Sequence, residues 1–281
     1  MNKTKIALLY DFDKTLCTTD MQNYSFIPAL NIKPKEFWEK CNHISKENHM
    51  DPLLTYMYLM IDEAKKKDLP INRETFVQMG NGVKLFPGVD TWFQRIDDYG
   101  AERDVIVEHY VISSGNKEII EGTPIAKYFT KIFACEFLYI DDVAVWPKSV
   151  INYTTKTQFL FRINKGVLDI SENDKINEST PEKDRTIPFR NMIYIADGLT
   201  DVPCMKLVKE KGGQSIAVYS HGKKPLASKL FADERVDFIC EANYKEDSNL
   251  DKIVKLVINK MRYQDELAQV HYKQANDISH D

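Results

Sequence analysis

The 281-residue sequence lacks the features that mark secreted, membrane-embedded and nucleic-acid-binding proteins. No apolar stretch approaches the ~20 residues that span a bilayer, and the charged start leads into a strand pattern rather than a signal peptide. Lysine and arginine total 38 against 42 acidic residues, and this net charge of −4 gives no basic footprint for nucleic acid. We therefore expect a soluble chain that binds neither membranes nor nucleic acid.

Cysteine and glycine are also scarce. The five cysteines are odd in number and show no Cys-x-x-Cys spacing, so we expect reduced thiols in the cytoplasm rather than disulfides or a zinc site. The 11 glycines form no phosphate-binding glycine-rich loop, and no internal repeat is present. Apolar residues, in contrast, make up 43% of the chain, which is enough to form a sizeable core.

The most informative segment is the apolar run Ile6–Tyr10, which ends at two carboxylates, Asp11 and Asp13. Such a run predicts a buried parallel strand, and open α/β sheets bind ligands at the carboxyl ends of their strands. Two carboxylates this close repel each other at neutral pH. A divalent cation, a shared proton, or one attacking and one proton-carrying carboxyl would offset the repulsion, although a lone pair of this kind could also be simply solvated.

Three further segments repeat the pattern of apolar residues ending in polar ones: Tyr110–Gly115, Thr154–Lys156 and Met192–Asp201. Together with the first segment, and in this order, they resemble the four signature motifs of the haloacid dehalogenase superfamily of phosphatases. The helical insertion described below is most similar to that of the phosphoserine phosphatase branch. The resemblance spans residues 6 to about 220. It implies an α/β fold with a Rossmann-like parallel sheet core and Mg²⁺-dependent phosphoester hydrolysis.

The first motif carries the chemistry that the resemblance implies. Asp11 would attack phosphorus and form an aspartyl-phosphate, which divides hydrolysis into two easier steps. Asp13 would protonate the leaving alcohol and then deprotonate water, a role that requires a raised pKa. Other branches of the superfamily carry different residues at the second position, so Asp13 favours a phosphatase or a phosphomutase.

The second and third motifs would hold the phosphoryl group. The resemblance implies a hydrogen bond from Ser113 to a phosphoryl oxygen, with the backbone N–H groups of Ser114 and Gly115 adding to it. Lys156 would offset the charge of the nucleophile and of the phosphoryl group. Lys165, which precedes a glycine, is the rival lysine; we prefer Lys156 because it opens an amphipathic stretch.

The fourth motif would complete a metal site. The resemblance implies that Asp197 binds Mg²⁺ with Asp11 and the backbone carbonyl of Asp13, an all-oxygen set that suits a hard cation. Asp201 would orient either a metal-bound water or the catalytic lysine. Asp201 could equally cap the helix that follows it, and both interpretations can hold together.

The periodicity predicts a core interrupted by a helical insertion. Residues 17–85 show helical spacing rich in aromatic residues and Met, and in this superfamily an insertion there is a cap that selects the substrate. The core would then be residues 1–16 and 86–281, and Gly80–Gly82 together with Pro87 and Gly88 could serve as a hinge. Elsewhere the pattern predicts helices at 89–99, 117–128 and 250–276, and strands at 131–135, 215–219 and 236–239. It also predicts a β-hairpin at 137–146 and a polar loop at 168–186.

The substrate is expected to be a small phosphorylated metabolite. Asp20, nine residues after Asp11, stands where the phosphoserine phosphatase branch has an acidic residue that contacts the substrate amine, but it could instead cap the first helix of the insertion. Arg73 could bind a substrate carboxylate or lie exposed at a helix start. The second motif departs from that branch at Ser114 and Asn116, which weakens the case for phosphoserine itself. A phosphomutase or a catalytically silent phosphate-binding protein remains an alternative, and the chain could be a monomer or a homodimer.

Overall fold

The computed structural model describes residues 3–279, and its centre is one seven-stranded sheet. The strands lie in the order β4-β3-β2-β1-β5-β6-β7, and every neighbouring pair is parallel except β3 with β4. The strands are β1 (Thr4–Tyr10), β2 (Val105–Asn116), β3 (Phe129–Ile140), β4 (Val143–Ser149), β5 (Met192–Ala196), β6 (Gln214–Tyr219) and β7 (Phe238–Glu241).

Helices cover both faces of this sheet and form most of the insertion after β1. The insertion contains α1 (Phe26–Ala29), α2 (Pro34–Glu47), α3 (Pro52–Lys66) and α4 (Arg73–Met79). The helices that follow are α5 (Val89–Ala101), α6 (Lys117–Glu121), α7 (Lys156–Lys165), α8 (Asn173–Asn177), α9 (Val202–Glu210), α10 (Pro225–Ala232) and α11 (Asn249–Ser279). Among residues 3–279, no helix combines the length and hydrophobicity needed to cross a bilayer.

The alternation of β1 side chains explains the two layers. Ala7 and Leu9 pack with the core formed by α7, α9 and α10, whereas Ile6 and Leu8 pack with α5 and α11. A strand covered on both faces must be apolar at every position, which is why the first motif begins with an unbroken apolar run.

The topology gathers the carboxyl ends of three strands. β1 lies between β2 and β5, and Tyr10 is in register with Val111 on one side and Ile195 on the other. The chain reverses its winding direction at β1, and such a switch point opens a crevice outside the strand ends. The polar residues of the first and fourth motifs directly follow β1 and β5 there, and those of the second motif form the last residues of β2.

The insertion leaves and rejoins the core at one place. Phe86 N–H donates to the Leu16 carbonyl over 2.9 Å, and Thr18 N–H donates to the Lys84 carbonyl over 3.0 Å. The two linking segments therefore run side by side near the predicted boundaries. Helices α2 and α3 begin at Pro34 and Pro52, because proline suits the first turn, where its missing N–H costs no hydrogen bond.

The glycines at Gly80–Gly82, where the sequence suggested a hinge, lie in closely packed structure. These residues form a short 3-10 helix, and Gly80 has an ordinary helical φ of −60°. A Cβ at Gly80 would lie 2.3 Å from the Ile119 carbonyl oxygen, and one at Gly122 would lie 1.7 Å from the Val77 carbonyl oxygen. These glycines therefore allow close packing of α4 against α6 rather than flexibility.

The hairpin prediction is confirmed, with two corrections nearby. Asp141 and Asp142 both have positive φ, as a tight two-residue β-turn requires. The strand before the turn is continuous through Glu136, which pairs with Ser149 of β4 and whose carboxylate pairs with Lys117 and Lys148. Helix α6 ends at Glu121 rather than Tyr128, since Gly122 and Pro124 interrupt it. The 168–186 segment is not entirely loop, since it holds α8, whereas α11 confirms the predicted terminal helix.

Candidate active site

Asp11 lies at the carboxyl end of β1, where its backbone N–H donates to the Ile195 carbonyl of β5 over 3.1 Å. Its side chain is buried, and Lys156 Nζ lies 2.9 Å from its Oδ1. Burial raises the pKa of the Asp11 carboxyl, and the nearby ammonium of Lys156 opposes that shift. The ion pair thus keeps a carboxylate available where water is largely excluded.

Lys156 is the first residue of α7 and is almost completely buried. Its Nζ also donates to Asp201 Oδ1 over 2.7 Å. Burial alone would lower the pKa of this lysine, but the carboxylates of Asp11 and Asp201 raise it. The rival Lys165 donates instead to the carbonyls of Ile176 and Glu178 in the 168–186 segment, and not to Asp11.

Asp201 is fully buried and accepts several hydrogen bonds. Besides Lys156, its carboxylate accepts from Tyr194 Oη over 2.6 Å and from Thr200 Oγ1 over 2.7 Å. It makes no side-chain capping bond to α9, which begins immediately after it. These contacts aim the carboxylate at the lysine rather than at the backbone of the helix.

Asp13 is half-buried and hydrogen-bonded on one side. The Met21 N–H donates to its Oδ1 over 2.8 Å. Gly115 packs against the same carboxyl: a side chain there would not fit, because its Cβ would lie 2.1 Å from Met21 Cε and 3.1 Å from Asp13 Oδ2. Burial, followed by the charges of Asp20 and Asp11, raises the pKa of the Asp13 carboxyl well above its ordinary value. A carboxyl in this environment favours the protonated form and can act as an acid.

Asp197 follows β5 and completes an acidic cluster. Carboxylate oxygens of Asp11, Asp197 and Asp201 lie within 4.8 Å of one another. Burial and the charges of the other two aspartates raise the pKa of Asp197, so this carboxyl carries an electrostatic cost that a cation would relieve. The donor set consists of oxygen only, as Mg²⁺ prefers.

The second motif brings one serine hydroxyl into the cleft. Ser113 is buried, and its Oγ accepts the Gly115 N–H over 3.0 Å, which leaves its own hydroxyl hydrogen free to donate. The Gly115 N–H, which was predicted to contact a phosphoryl oxygen, donates to this serine oxygen in the structure. Ser114 Oγ donates to the Ile151 carbonyl over 2.7 Å, and the Ser114 carbonyl accepts from Tyr56 Oη.

Asp20 and Arg73 differ in their placement. Asp20 borders the cleft and accepts from Lys14 Nζ over 2.7 Å, and it makes no side-chain capping bond to the short 3-10 helix that follows. Arg73 opens α4 and pairs with Glu121 of α6, outside the cleft. The structure does not bring Arg73 near Asp11, because its partner lies on the core beneath the insertion.

The cleft has a volume of about 250 Å³ and contains several residues that the sequence did not single out. Two aromatic residues of the insertion, Trp38 and Tyr56, line the cleft; the sequence could have identified them only if it showed which face of each helix meets the core. Lys14 reaches the cleft from a residue whose backbone has a positive φ of 58°, a conformation that the sequence does not predict for lysine. The residues found only in the structure are Lys14, Gln22, Trp38, Leu53, Tyr56, Tyr153, Gly198 and Thr200.

Several solved structures share the fold of this chain. A HAD family hydrolase from Salmonella enterica serovar Typhi superposes with a TM-score of 0.59 at 16% identity, covering 89% of this chain and 70% of that one. A substrate-bound phosphoserine phosphatase gives 0.57 at 16% identity, over 90% and 99%. Cytosolic 5'-nucleotidase IIIB gives 0.52 at 15% identity, over 92% and 86%. The fold is therefore that of the haloacid dehalogenase superfamily, as the four motifs predicted.

Sequence comparison identifies a nearer relative. An uncharacterized protein of Borreliella burgdorferi is 31% identical over 274 residues, which cover 87% of this chain and 93% of that protein. This chain belongs to the same family as the Borreliella protein. No family model matches the chain.

Proposed function

We propose that this protein is a Mg²⁺-dependent phosphomonoesterase that forms an aspartyl-phosphate on Asp11. The observation that carries the proposal is the buried Asp11–Lys156–Asp201 arrangement at the switch point of the sheet, with Lys156 Nζ 2.9 Å from Asp11 and 2.7 Å from Asp201. A purely structural ion pair would not require a third carboxylate, Asp197, in the same crevice. The fold shared with phosphoserine phosphatase and a 5'-nucleotidase supports the same reaction class.

The two aspartates of the first motif would divide the reaction. An Asp11 carboxylate oxygen attacks phosphorus, the bond from phosphorus to the substrate oxygen breaks, and Asp13 gives its proton to that oxygen. Asp13 then takes a proton from water as the water oxygen attacks phosphorus. This second step releases inorganic phosphate and restores the Asp11 carboxylate. The environments suit this division, because Asp11 faces an ammonium whereas Asp13 faces other acids.

Lys156 and Ser113 would hold the phosphoryl group. The Lys156 ammonium neutralises charge shared by Asp11 and the phosphoryl oxygens, and Asp201 fixes its position. The free hydroxyl hydrogen of Ser113 donates to a phosphoryl oxygen. A fixed donor in a buried crevice needs little reorganisation during the reaction, which is the source of its catalytic value.

The acidic cluster fits a magnesium ion. Asp11, Asp197 and the backbone carbonyl of Asp13 would hold it, whereas Asp201 is already engaged by three donors. When bound, the ion neutralises negative charge that develops on the phosphoryl oxygens. The raised pKa of Asp197, caused by burial and by the charge of Asp11, is consistent with carboxylates arranged for a cation.

Residues 17–85 would form a cap over residues 1–16 and 86–281. The paired linkers at 16–18 and 84–86 offer a common pivot, and Trp38 and Tyr56 from this segment border the cleft. Closing such a lid excludes water from the phosphoenzyme. Five free, buried cysteines agree with a reducing, cytoplasmic location.

The test is a panel of phosphorylated metabolites incubated with the full chain and Mg²⁺, with Asp11→Asn as the matched control. We expect inorganic phosphate from at least one small monoester and none from the control. An isomeric phosphate ester without phosphate release would instead identify a phosphomutase. Tight phosphate binding without turnover would identify a silent binding protein.

A further inference from the structure

Gln22 lines the cleft and carries a buried polar atom that is unpaired among the described residues. It lies in the short 3-10 helix Met21–Asn23 and is only 2% exposed. Its Nε2 donates to Asn116 Oδ1 over 2.8 Å, which fixes the amide. Within residues 3–279, its Oε1 has no hydrogen-bond partner although the side chain lines the cleft.

Two aromatic side chains of the insertion also line the cleft. The rings of Trp38 and Tyr56 lie 6.0 Å apart between centroids, at an angle of 62°. Trp38 Nε1 donates to Asn23 Oδ1, and Tyr56 Oη donates to the Ser114 carbonyl. Because both polar atoms are engaged within the protein, what these rings offer a ligand is mainly apolar; most of that surface comes from the half-buried Trp38 and Leu53, since Tyr56 is only 2% exposed.

The charges of the cleft disfavour an acidic ligand group beyond the phosphate. In the part of the chain that the structure describes, its lining contains two cations, and both are paired: Lys14 with Asp20, and Lys156 with Asp11 and Asp201. Asp13 and Asp197 add two further carboxyls. A carboxylate on the leaving group would therefore meet repulsion without an uncommitted partner.

We propose a substrate class that deepens the function proposed above and depends on it. The alcohol part of the substrate has a flat apolar face that packs on Trp38 and Tyr56, and a hydroxyl or amine hydrogen that it donates to Gln22 Oε1; it bears no carboxylate. A buried acceptor without a partner costs free energy, so a ligand that supplies the missing donor gains from the pairing. Sites built around such an atom reject analogues that lack the donor.

The probes are phenyl phosphate, its 3- and 4-hydroxy derivatives and 3-carboxyphenyl phosphate. They share an apolar ring and differ only in the group offered to Gln22. Binding to the inactive Asp11→Asn chain, measured by calorimetry, removes differences in leaving-group reactivity. We expect one hydroxy isomer to bind about tenfold more tightly than phenyl phosphate, and the carboxy probe to bind most weakly.

Gln22→Met in the Asp11→Asn background should remove the preference for the hydroxy probe while leaving phenyl phosphate binding within about twofold. Asn116→Ala is the matched control, because it removes the same internal hydrogen bond without touching the cleft. It should lower thermal stability about as much as Gln22→Met but lose only part of the preference, because the Gln22 acceptor is still present without the bond that fixes its orientation. Thermal melts establish that both variants fold.

Two results would overturn the substrate class: equal binding of the hydroxy and unsubstituted probes, or tighter binding of the carboxy probe. Either can occur while the native chain still hydrolyses the probes. Failure of the proposed function has a different signature, namely no phosphate release by the native chain from the probes or from the metabolite panel. The binding comparison still decides on Gln22 in that case.

Discussion

Two groups of ionisable side chains lie in different regions of the molecule, and they differ in how fully their carboxyls are paired with cations. Between α5 and α11, Asp251 accepts from Lys255 Nζ over 2.8 Å, from Arg95 Nε over 3.1 Å and from the Asp247 N–H over 3.1 Å. At the carboxyl edge of the sheet, the carboxyls of Asp11, Asp13 and Asp197 line one cleft. Two ammonium groups line the same cleft: that of Lys156, which pairs with Asp11, and that of Lys14, which pairs with Asp20.

The consequence appears in the pKa values. Burial raises the pKa of Asp11, Asp13 and Asp197, and the available cations do not reverse the shift. For Asp251, burial also acts to raise the pKa, but Lys255 and Arg95 more than offset it, and the pKa is lowered. A complete set of partners stabilises the fold, whereas an incomplete set leaves carboxyls that a cation and a phosphate ester can use.

The largest expected effect separates the two groups by activity. Asp11→Asn should reduce phosphate release by about a thousandfold or more, because no other side chain can form the covalent intermediate. Asp251→Asn is the matched control, a buried aspartate of the other group, and should retain activity per folded molecule. Steady-state phosphate assays on both variants measure the difference, and equal losses would break the distinction between the groups.

Asp13→Asn should reduce turnover of alkyl phosphates by about a hundredfold or more, the usual contribution of a general acid. The loss in the leaving-group step should be smaller for 4-nitrophenyl phosphate, whose phenolate departs without a proton. Presteady-state measurement of nitrophenolate release isolates that step. Identical losses of the leaving-group step for both esters would argue against Asp13 as the acid.

The next effect separates the groups by stability. Asp251→Asn should lower the free energy of unfolding by about 3 kcal/mol, since it leaves Arg95 and Lys255 without their shared charge. Asp13→Asn should raise the melting temperature by a few degrees, at about 2 to 4 °C per kcal/mol, because it removes a half-buried carboxyl that lies close to other acids. Urea titration and thermal melts without Mg²⁺ test both; stabilisation by Asp251→Asn would reverse the comparison.

The smallest effect is the pH dependence of those stability differences. The pKa of Asp251 is lowered on folding, so its contribution is present above the unfolded value of about 3.9 and is lost as pH falls through the lower folded value. The pKa of Asp13 is raised, so native stability falls as pH rises from about 3.9 towards the folded value. The gain from Asp13→Asn should therefore grow with pH, and the loss from Asp251→Asn should shrink in acid.

The fold was largely predictable because its signals are local. The unbroken apolar run of β1 indicated a strand covered on both faces, and the two aspartates after it marked the sheet edge where ligands bind. Proline at the start of α2 and α3, and the aspartate pair in the β3–β4 turn, likewise report local backbone requirements.

The cleft was less predictable because its walls depend on contacts between distant segments. Trp38 and Tyr56 have the periodicity of core residues. No local pattern shows that α2 brings Trp38 to Asn23 or that α3 brings Tyr56 to Ser114. Arg73 was a reasonable ligand by charge, but its pairing with Glu121 depends on how α4 packs on α6. The unpaired Oε1 of Gln22 likewise arises only when Asn116 occupies the other end of the amide.

The central claim is that Asp11 carries the phosphoryl group. It is tested most directly by mixing the chain with Mg²⁺ and [³²P]phenyl phosphate, quenching in acid within milliseconds and locating the label by peptide mapping. The account predicts an acid-stable, alkali-labile label on the peptide that contains Asp11, and no label in Asp11→Asn. Phosphate release without any trapped label, or a label that persists in Asp11→Asn, would contradict it.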